Sequence, residues 1–140
     1  MLEVATMPVR ALAVLASEEA CERVAGLGGA CRIGPSEVMV LGDVSPGAVE
    51  RAVGLSDPDG LVQDVSDGWT LHRLSGPAAR EAFARLSELE LPASGFVQGE
   101  VSSVGARIVA EGDRVDLIVP SMLAEHVRAR IDDECRELLG

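Results

Sequence analysis

Apolar and polar positions along this chain switch between the spacing of a strand and that of a helix, and the switches mark its elements. Residues 10–16, RALAVLA, form a short apolar run of the length expected for a buried strand. Ser17 follows as a helix cap, with Glu18 and Glu19 where the positive end of a helix dipole favours acids. Ala20, Val24 and Leu27 recur at helical spacing until GLGG at 26–29 ends the pattern. Residues 31–43, CRIGPSEVMVLGD, hold two apolar pieces around Gly34-Pro35-Ser36 and predict a hairpin. Ser45 and Pro46 repeat the helix-start chemistry, with Ala48, Val49, Ala52 and Val53 facing inward and Gly54 beyond the end.

After the turn-rich SDPDG at 56–60, the same order returns. LVQDV and WTLHRL are strand candidates separated by Ser66-Asp67-Gly68, a turn whose glycine can take a positive φ. Gly76 as cap and Pro77 at the first helical position predict a helix with Ala79, Ala82, Phe83 and Leu86 inward and Arg80, Glu81 and Arg85 toward water. LPASGFVQGE, residues 91–100, is read as a crossover in which Pro92 and Gly95 forbid a continuous helix. Residues 105–120 alternate on both sides of Glu111-Gly112-Asp113, the strongest hairpin signal in the chain. Ser121 is expected to cap a last helix whose apolar face is Ala124, Val127, Ile131, Cys135 and Leu138. The pattern predicts one α+β domain over residues 1–140, built from two similar β-α-β-β-α halves at about 10–54 and 61–139. Its sheets are antiparallel, its helices lie on one face, and its two layers enclose one core. RIGPSEVMVLGDVSP set against RIVAEGDRVDLIVPS carries the pseudo-repeat.

Composition narrows the function classes. Twelve basic against twenty-three acidic residues give a net charge of −11, which makes nucleic acid and anionic membranes poor partners. No apolar run reaches the roughly 20 residues of a membrane span, and ALAVLA is too short for a secretory leader, so a soluble, cytoplasmic protein is expected. Every basic residue is Arg, and Lys, Asn and Tyr are absent, a bias that suggests a GC-rich bacterial genome. Without Lys there is no Schiff-base chemistry and no Gly-Lys-Ser/Thr phosphate loop. Cys21, Cys31 and Cys135 form no CxxC, and His72 and His126 form no ligand pair, so no metal site is expected. Three aromatic residues, Trp69, Phe83 and Phe96, cannot build a stacking platform for bases.

Asp64, Asp67, Ser66 and His72 invite a Ser-His-Asp reading, but Ser66 sits in a turn without the strained elbow that exposes a nucleophile. GLGGACRIG follows a helix pattern, whereas a dinucleotide fingerprint must follow a strand. No catalytic residue is assigned. Arg73 reads as an exposed strand position, a clamp for a carboxylate or phosphate, or a partner-facing ion pair. Trp69 reads as core or as an interface anchor, and His126 as a solvated residue.

Residues 64–86, DVSDGWTLHRLSGPAAREAFARL, resemble a segment of the gamma subunit of heterotetrameric sarcosine oxidase and, more distantly, of the folate-binding domain of the glycine cleavage T protein. Asp64, Ser66, Leu74, Gly76 and Ala79 carry that likeness. Phe96 and Gly99 in FVQGEVSSVGARI, and Ser121 and Ala124 in VPSMLAEHVRARI, extend it. The chain departs from the family pattern at Val104 and Pro120. The resemblance implies a folate-binding-domain-like fold and a noncatalytic role beside larger flavin-containing alpha and beta subunits and a small delta subunit. FAD, FMN, NAD and tetrahydrofolate would then belong to the complex, with none bound by this chain and zinc associated with another small subunit. Two other readings stand beside it. One is a free-standing tetrahydrofolate-binding one-carbon protein, for which Asp64 and Gln98 are the weak candidates to hold the pterin; the other is a regulatory small-ligand domain.

Overall fold

A computed structural model describes residues 1–139. In chain order its elements are β1 (Glu3–Pro8), β2 (Ala11–Leu15), α1 (Glu18–Ala25), β3 (Ala30–Gly34), β4 (Glu37–Leu41), α2 (Pro46–Gly54), β5 (Leu61–Asp64), β6 (Trp69–Ser75), α3 (Ala79–Leu86), β7 (Ser94–Val101), β8 (Val104–Glu111), β9 (Arg114–Pro120) and α4 (Ala124–Glu134). They form an α+β fold with two antiparallel sheets and two compact units, Val9–Ser66 and Met1–Pro8 with Asp67 onward.

In the smaller unit the Ser17 hydroxyl accepts from the Ala20 N–H at 3.2 Å, the cap that the pattern requires. Ser45 precedes α2 without a side-chain cap bond, and Pro46 opens that helix. The sheet order is β3-β4-β2-β5. Because β2 and β3 are both antiparallel to β4, they run parallel to each other with β4 between them, a split β-α-β arrangement. Leu12, Val14, Val38 and Val40 pack with Ala20, Cys21 and Val24 of α1 and Val49 and Val53 of α2. LVQDV, placed by the sequence reading at the head of a second half, completes this sheet instead. Leu12 pairs with Asp64 and Val14 with Val62.

The larger unit has the order β1-β6-β9-β8-β7. Strands β6, β8 and β9 with α3 and α4 repeat the split arrangement, and β7 is added at the edge. The place that β5 takes in the smaller sheet is taken here by β1, from the other end of the sequence, in register from Glu3–Ser75 to Pro8–Thr70. Leu2, just before β1, is buried among Leu74, Phe83, Ile131 and Leu138, which contributes about 2 kcal/mol. Its N–H donates to the Leu138 carbonyl at 2.9 Å.

Several expectations are corrected. Residues 3–8, given no element from sequence, form a strand because Val4 and Thr6 share a face with the buried Leu2. The segment 91–100, expected to be a crossover, instead contributes Ser94–Val101, which pairs along its whole length with β8. One expected core becomes two hydrophobic clusters, one for each unit. Gly76 and Pro77 precede a helix that starts only at Ala79, and Gly68 lies in a short 3₁₀ turn without a positive φ. Ser121 opens a 3₁₀ turn, and its hydroxyl bonds Thr70 at 3.0 Å and donates to the Asp67 carbonyl at 3.1 Å instead of capping α4.

The corner after β6 is shaped by the N-terminal strand. Gly76 has φ +103, and a Cβ on it would overlap the Met1 carbonyl oxygen. That same oxygen accepts from the Ala78 N–H at 3.2 Å, and the Gly76 N–H donates to Asp113 at 3.1 Å. Gly76→Ala is therefore expected to destabilise by about 2 kcal/mol or more, and Gly76→Val by more still. Gly68→Ala, where an added Cβ meets nothing within 4 Å, is expected to be neutral or slightly stabilising. Urea unfolding midpoints of the three variants measure the difference.

Candidate functional site

Alternation along β6 turns His72 toward the helices, where it is buried. Its Nε2 lies 2.8 Å from the Ala124 carbonyl, which can only accept, so Nε2 carries the proton and Nδ1 accepts from the Thr6 hydroxyl at 2.8 Å. Thr6 in turn accepts from Arg128 at 3.1 Å. Donation thus runs from Arg128 to Thr6 to His72 to Ala124, joining β1, β6 and α4. Burial pushes the His72 pKa down, the Ala124 hydrogen bond opposes that shift, and nearby Arg128 adds to it. Both ring nitrogens are committed to holding the fold.

Asp64 and Ser66 lie in the smaller unit. The Asp64 carboxylate accepts from the Ser66 N–H at 2.9 Å and from its hydroxyl at 2.6 Å, bonds that lower the Asp64 pKa. Ser66 Oγ also accepts from the Ala11 N–H at 2.9 Å, so the pair fastens the end of β5 beside the start of β2. Gln98 is exposed on β7, opposite Arg107, in the larger unit. Neither Asp64 nor Gln98 lines a cleft described below. Both bonds from Ser66 fall on one Asp64 oxygen, Oδ1.

The other motif positions are mostly structural. Leu74, Ala79 and Ala124 are buried, and Phe96 is half-buried. A Cβ at Gly99 would lie 2.6 Å from a methyl of Leu89. Arg73 faces Asp116 directly across the ladder and binds it through two bonds of 2.8 and 3.1 Å. These bonds raise the Arg73 pKa. Trp69 is half-buried, with the Arg107 guanidinium 4.6 Å from its ring centre. His126 is exposed. Cys21, Cys31 and Cys135 are free and buried; desolvation raises all three thiols, Cys31 to about 11.

Two clefts remain as places where a ligand or partner could sit. A cleft of about 600 Å³ in the larger unit is lined by the end of α3 and its exit, Ala84–Leu89, together with Glu100, Ser102 and Ser103. Ser102 and Ser103 form the two-residue turn between β7 and β8 and both have positive φ, 49 and 67. That turn type favours Asn-Gly, so two serines there store about 1 kcal/mol or more each. The Ser102 N–H donates to the Leu86 carbonyl at 2.8 Å, and the Ser87 hydroxyl to Glu100 at 2.6 Å, which holds the tip against α3. A second cleft of about 350 Å³, lined by residues including Glu50, Asp57, Pro58 and Leu61, lies in the smaller unit. Neither is lined by His or Cys; the larger cleft carries Ser87, Ser102 and Ser103 beside Glu88 and Glu100. Among the described residues no group of three His, Cys, Asp or Glu is placed to hold a metal.

Sequence reasoning missed Thr6, Arg107, Asp116 and the Ser102–Ser103 turn. Asp116 could have been flagged as an acid inside the apolar RVDLIVP run, because such a residue needs a cation nearby. Nothing in a Ser-Ser pair announces left-handed backbone.

Two measurements check these assignments. An unfolded His ionises near pH 6.5 and His72 ionises lower, so the unfolded chain takes up this proton first as pH falls. The His72 contribution is complete above about pH 6.5 and is lost progressively below it, down to the folded pKa. The denaturant midpoint should therefore fall more steeply between pH 7 and 5 in wild type than in His72→Gln. The buried, raised thiols should leave the native chain almost unreactive toward a disulfide reagent at pH 8, with all three titrating in denaturant.

No protein-family model matches the chain, and no curated protein matches its sequence. Among solved structures it is similar to a chain of the heterotetrameric sarcosine oxidase from Corynebacterium sp. U-96, determined in complex with pyrrole 2-carboxylate. The TM-score is 0.80 at 16% identity, covering 97% of this chain and 84% of that one. A C-terminal domain described as regulatory in the aspartate kinase of Porphyromonas gingivalis W83 gives a TM-score of 0.50 at 9% identity, with 96% of each chain covered. The α+β architecture of this chain is therefore one found in a heterotetrameric sarcosine oxidase.

Proposed function

We propose that this chain is a noncatalytic, gamma-like small subunit of a sarcosine oxidase-type complex that oxidises an N-methyl amine. The observation that carries this reading is the TM-score of 0.80 over 97% of the chain, to a chain only slightly longer than this one and drawn from a heterotetramer. The site chemistry supports it. His72 and Arg73 are committed within the chain, the thiols are buried, and neither cleft is lined by His or Cys. Met122, Leu55, Leu61 and Leu15 are exposed apolar side chains that larger subunits would cover. The hairpins β3–β4 and β8–β9 hold equivalent places in their sheets, which supports the internal repeat and a folate-binding-domain-like ancestry. On this reading FAD, FMN, NAD and tetrahydrofolate are held by alpha and beta chains, a delta chain completes the bacterial, cytoplasmic assembly, and this chain stabilises it. The tetrahydrofolate-binding alternative gains no support from the clefts, since neither Asp64 nor Gln98 lines one.

Co-expression with the flavin-bearing sarcosine oxidase chains of the same genome tests the proposal. The expected result is a yellow assembly that retains this subunit through gel filtration and consumes oxygen on sarcosine, while the isolated chain turns nothing over. Turnover by the isolated chain, or its elution as a monomer apart from the flavin-bearing chains, would overturn the reading.

A further inference from the structure

In a chain with twelve arginines and twenty-three acids, an arginine without a partner stands out. Arg10, Arg73, Arg85, Arg114, Arg128, Arg130 and Arg136 make ion pairs. Arg23, Arg32 and Arg80 donate to a hydroxyl or to carbonyls. Arg107 makes no ion pair among the described residues, and its Nε is buried without a hydrogen-bond partner. The Nε of Arg114 is also unbonded, but that head group lies 3.3 Å from Glu111 and 3.8 Å from Asp116. Arg51 is exposed on α2, where water serves it. Arg107 is only half-exposed, on β8, lying over the ring of Trp69. Ile118, which pairs with Arg107 on the intervening strand β9, is buried.

We propose that the Trp69–Arg107 stack is the docking point for a carboxylate on one of the larger chains with which this subunit assembles. The proposal rests on the reading of the preceding subsection. A guanidinium whose face is spent on an indole and whose Nε is buried keeps its terminal Nη groups for in-plane bonds to a carboxylate, and half-burial has already removed much of its water. Trp and Arg are the residue types that most often dominate interface energies. On a surface of net charge −11, an unpaired cation is also where a partner's acid meets attraction, which fixes the register of docking. Arg73 already answers an acid of its own chain, with Asp116 on its Nε and Nη2.

The chain contains no lysine, so Arg107→Lys introduces its only side-chain amine, and a carbodiimide joins an amine to a carboxylate in contact with it. In the assembly built with Arg107→Lys, an amide link from position 107 to an Asp, a Glu or the C-terminus of a larger chain is expected, absent with wild type. Arg107→Gln should weaken assembly by about tenfold or more while leaving the thermal unfolding of the isolated chain unchanged. Trp69 is the only indole, so its emission reports on this place alone and should shift on assembly in wild type more than in Arg107→Gln. Links only to acids of this same chain, no link in an assembly that forms, or wild-type affinity of Arg107→Gln would each overturn the docking point and leave the subunit reading standing. Saturable change of Trp69 emission in the isolated chain with millimolar acetate would overturn it in favour of a small-molecule site. Failure of the wild-type chain to assemble at all would overturn both.

Discussion

β1 enters the larger sheet beside β6 through residue pairs running from Glu3–Ser75 to Pro8–Thr70, and much of that unit is arranged to keep it there. Leu2 is buried between the sheet and the helices. Thr6 takes a hydrogen bond from Arg128 and passes one to His72, which passes one to Ala124. Removing Thr6 would leave the Nδ1 of the buried His72 unmet, a cost larger than the net gain of one hydrogen bond. Gly76 is glycine because the Met1 carbonyl occupies the space a side chain would need. The corner is a seat for a strand.

That commitment explains why so few reactive groups are left over. The histidine inside the fold is tied at both nitrogens, the thiols are buried and protonated, and Asp64, Ser66, Arg73 and Asp116 answer one another within their own units. The remaining features suit contact more than turnover: a strained serine turn held against the end of α3, exposed methionine and leucine side chains, and a cation stacked on the lone indole.

Local chemistry made much of the fold legible. The Ser17 cap, the inner stripe of α3, and the hairpins on either side of Pro35-Ser36 and Gly112-Asp113 are set by neighbours a few residues apart, and they stand where the pattern puts them. What stayed hidden depends on distant partners. EVATMP is too short and too mixed to declare itself a strand until β6 lies beside it, and β5 looks like the start of a second half until β2 claims it. Pro92 and Gly95 ruled out helix at 91–100 but could not show that β8 would extend a strand to meet that segment. The candidate contact residues were half visible. Trp69 was suspected from its rarity, whereas Arg107 became notable only once the partners of the other arginines were known.

The position of β1 in the sequence also bears on biosynthesis. Thr6 leaves the ribosome sixty-six residues ahead of the His72 to which it will bond, so the nascent strand must wait, apolar side chains unsheltered, while Val9–Ser66 is made. All the strand partners of that intervening unit lie within it, so it can settle during the delay. The five-stranded sheet closes only after residues 3–120 are in hand, and until then its unpaired edge is a hazard that chaperones would have to cover.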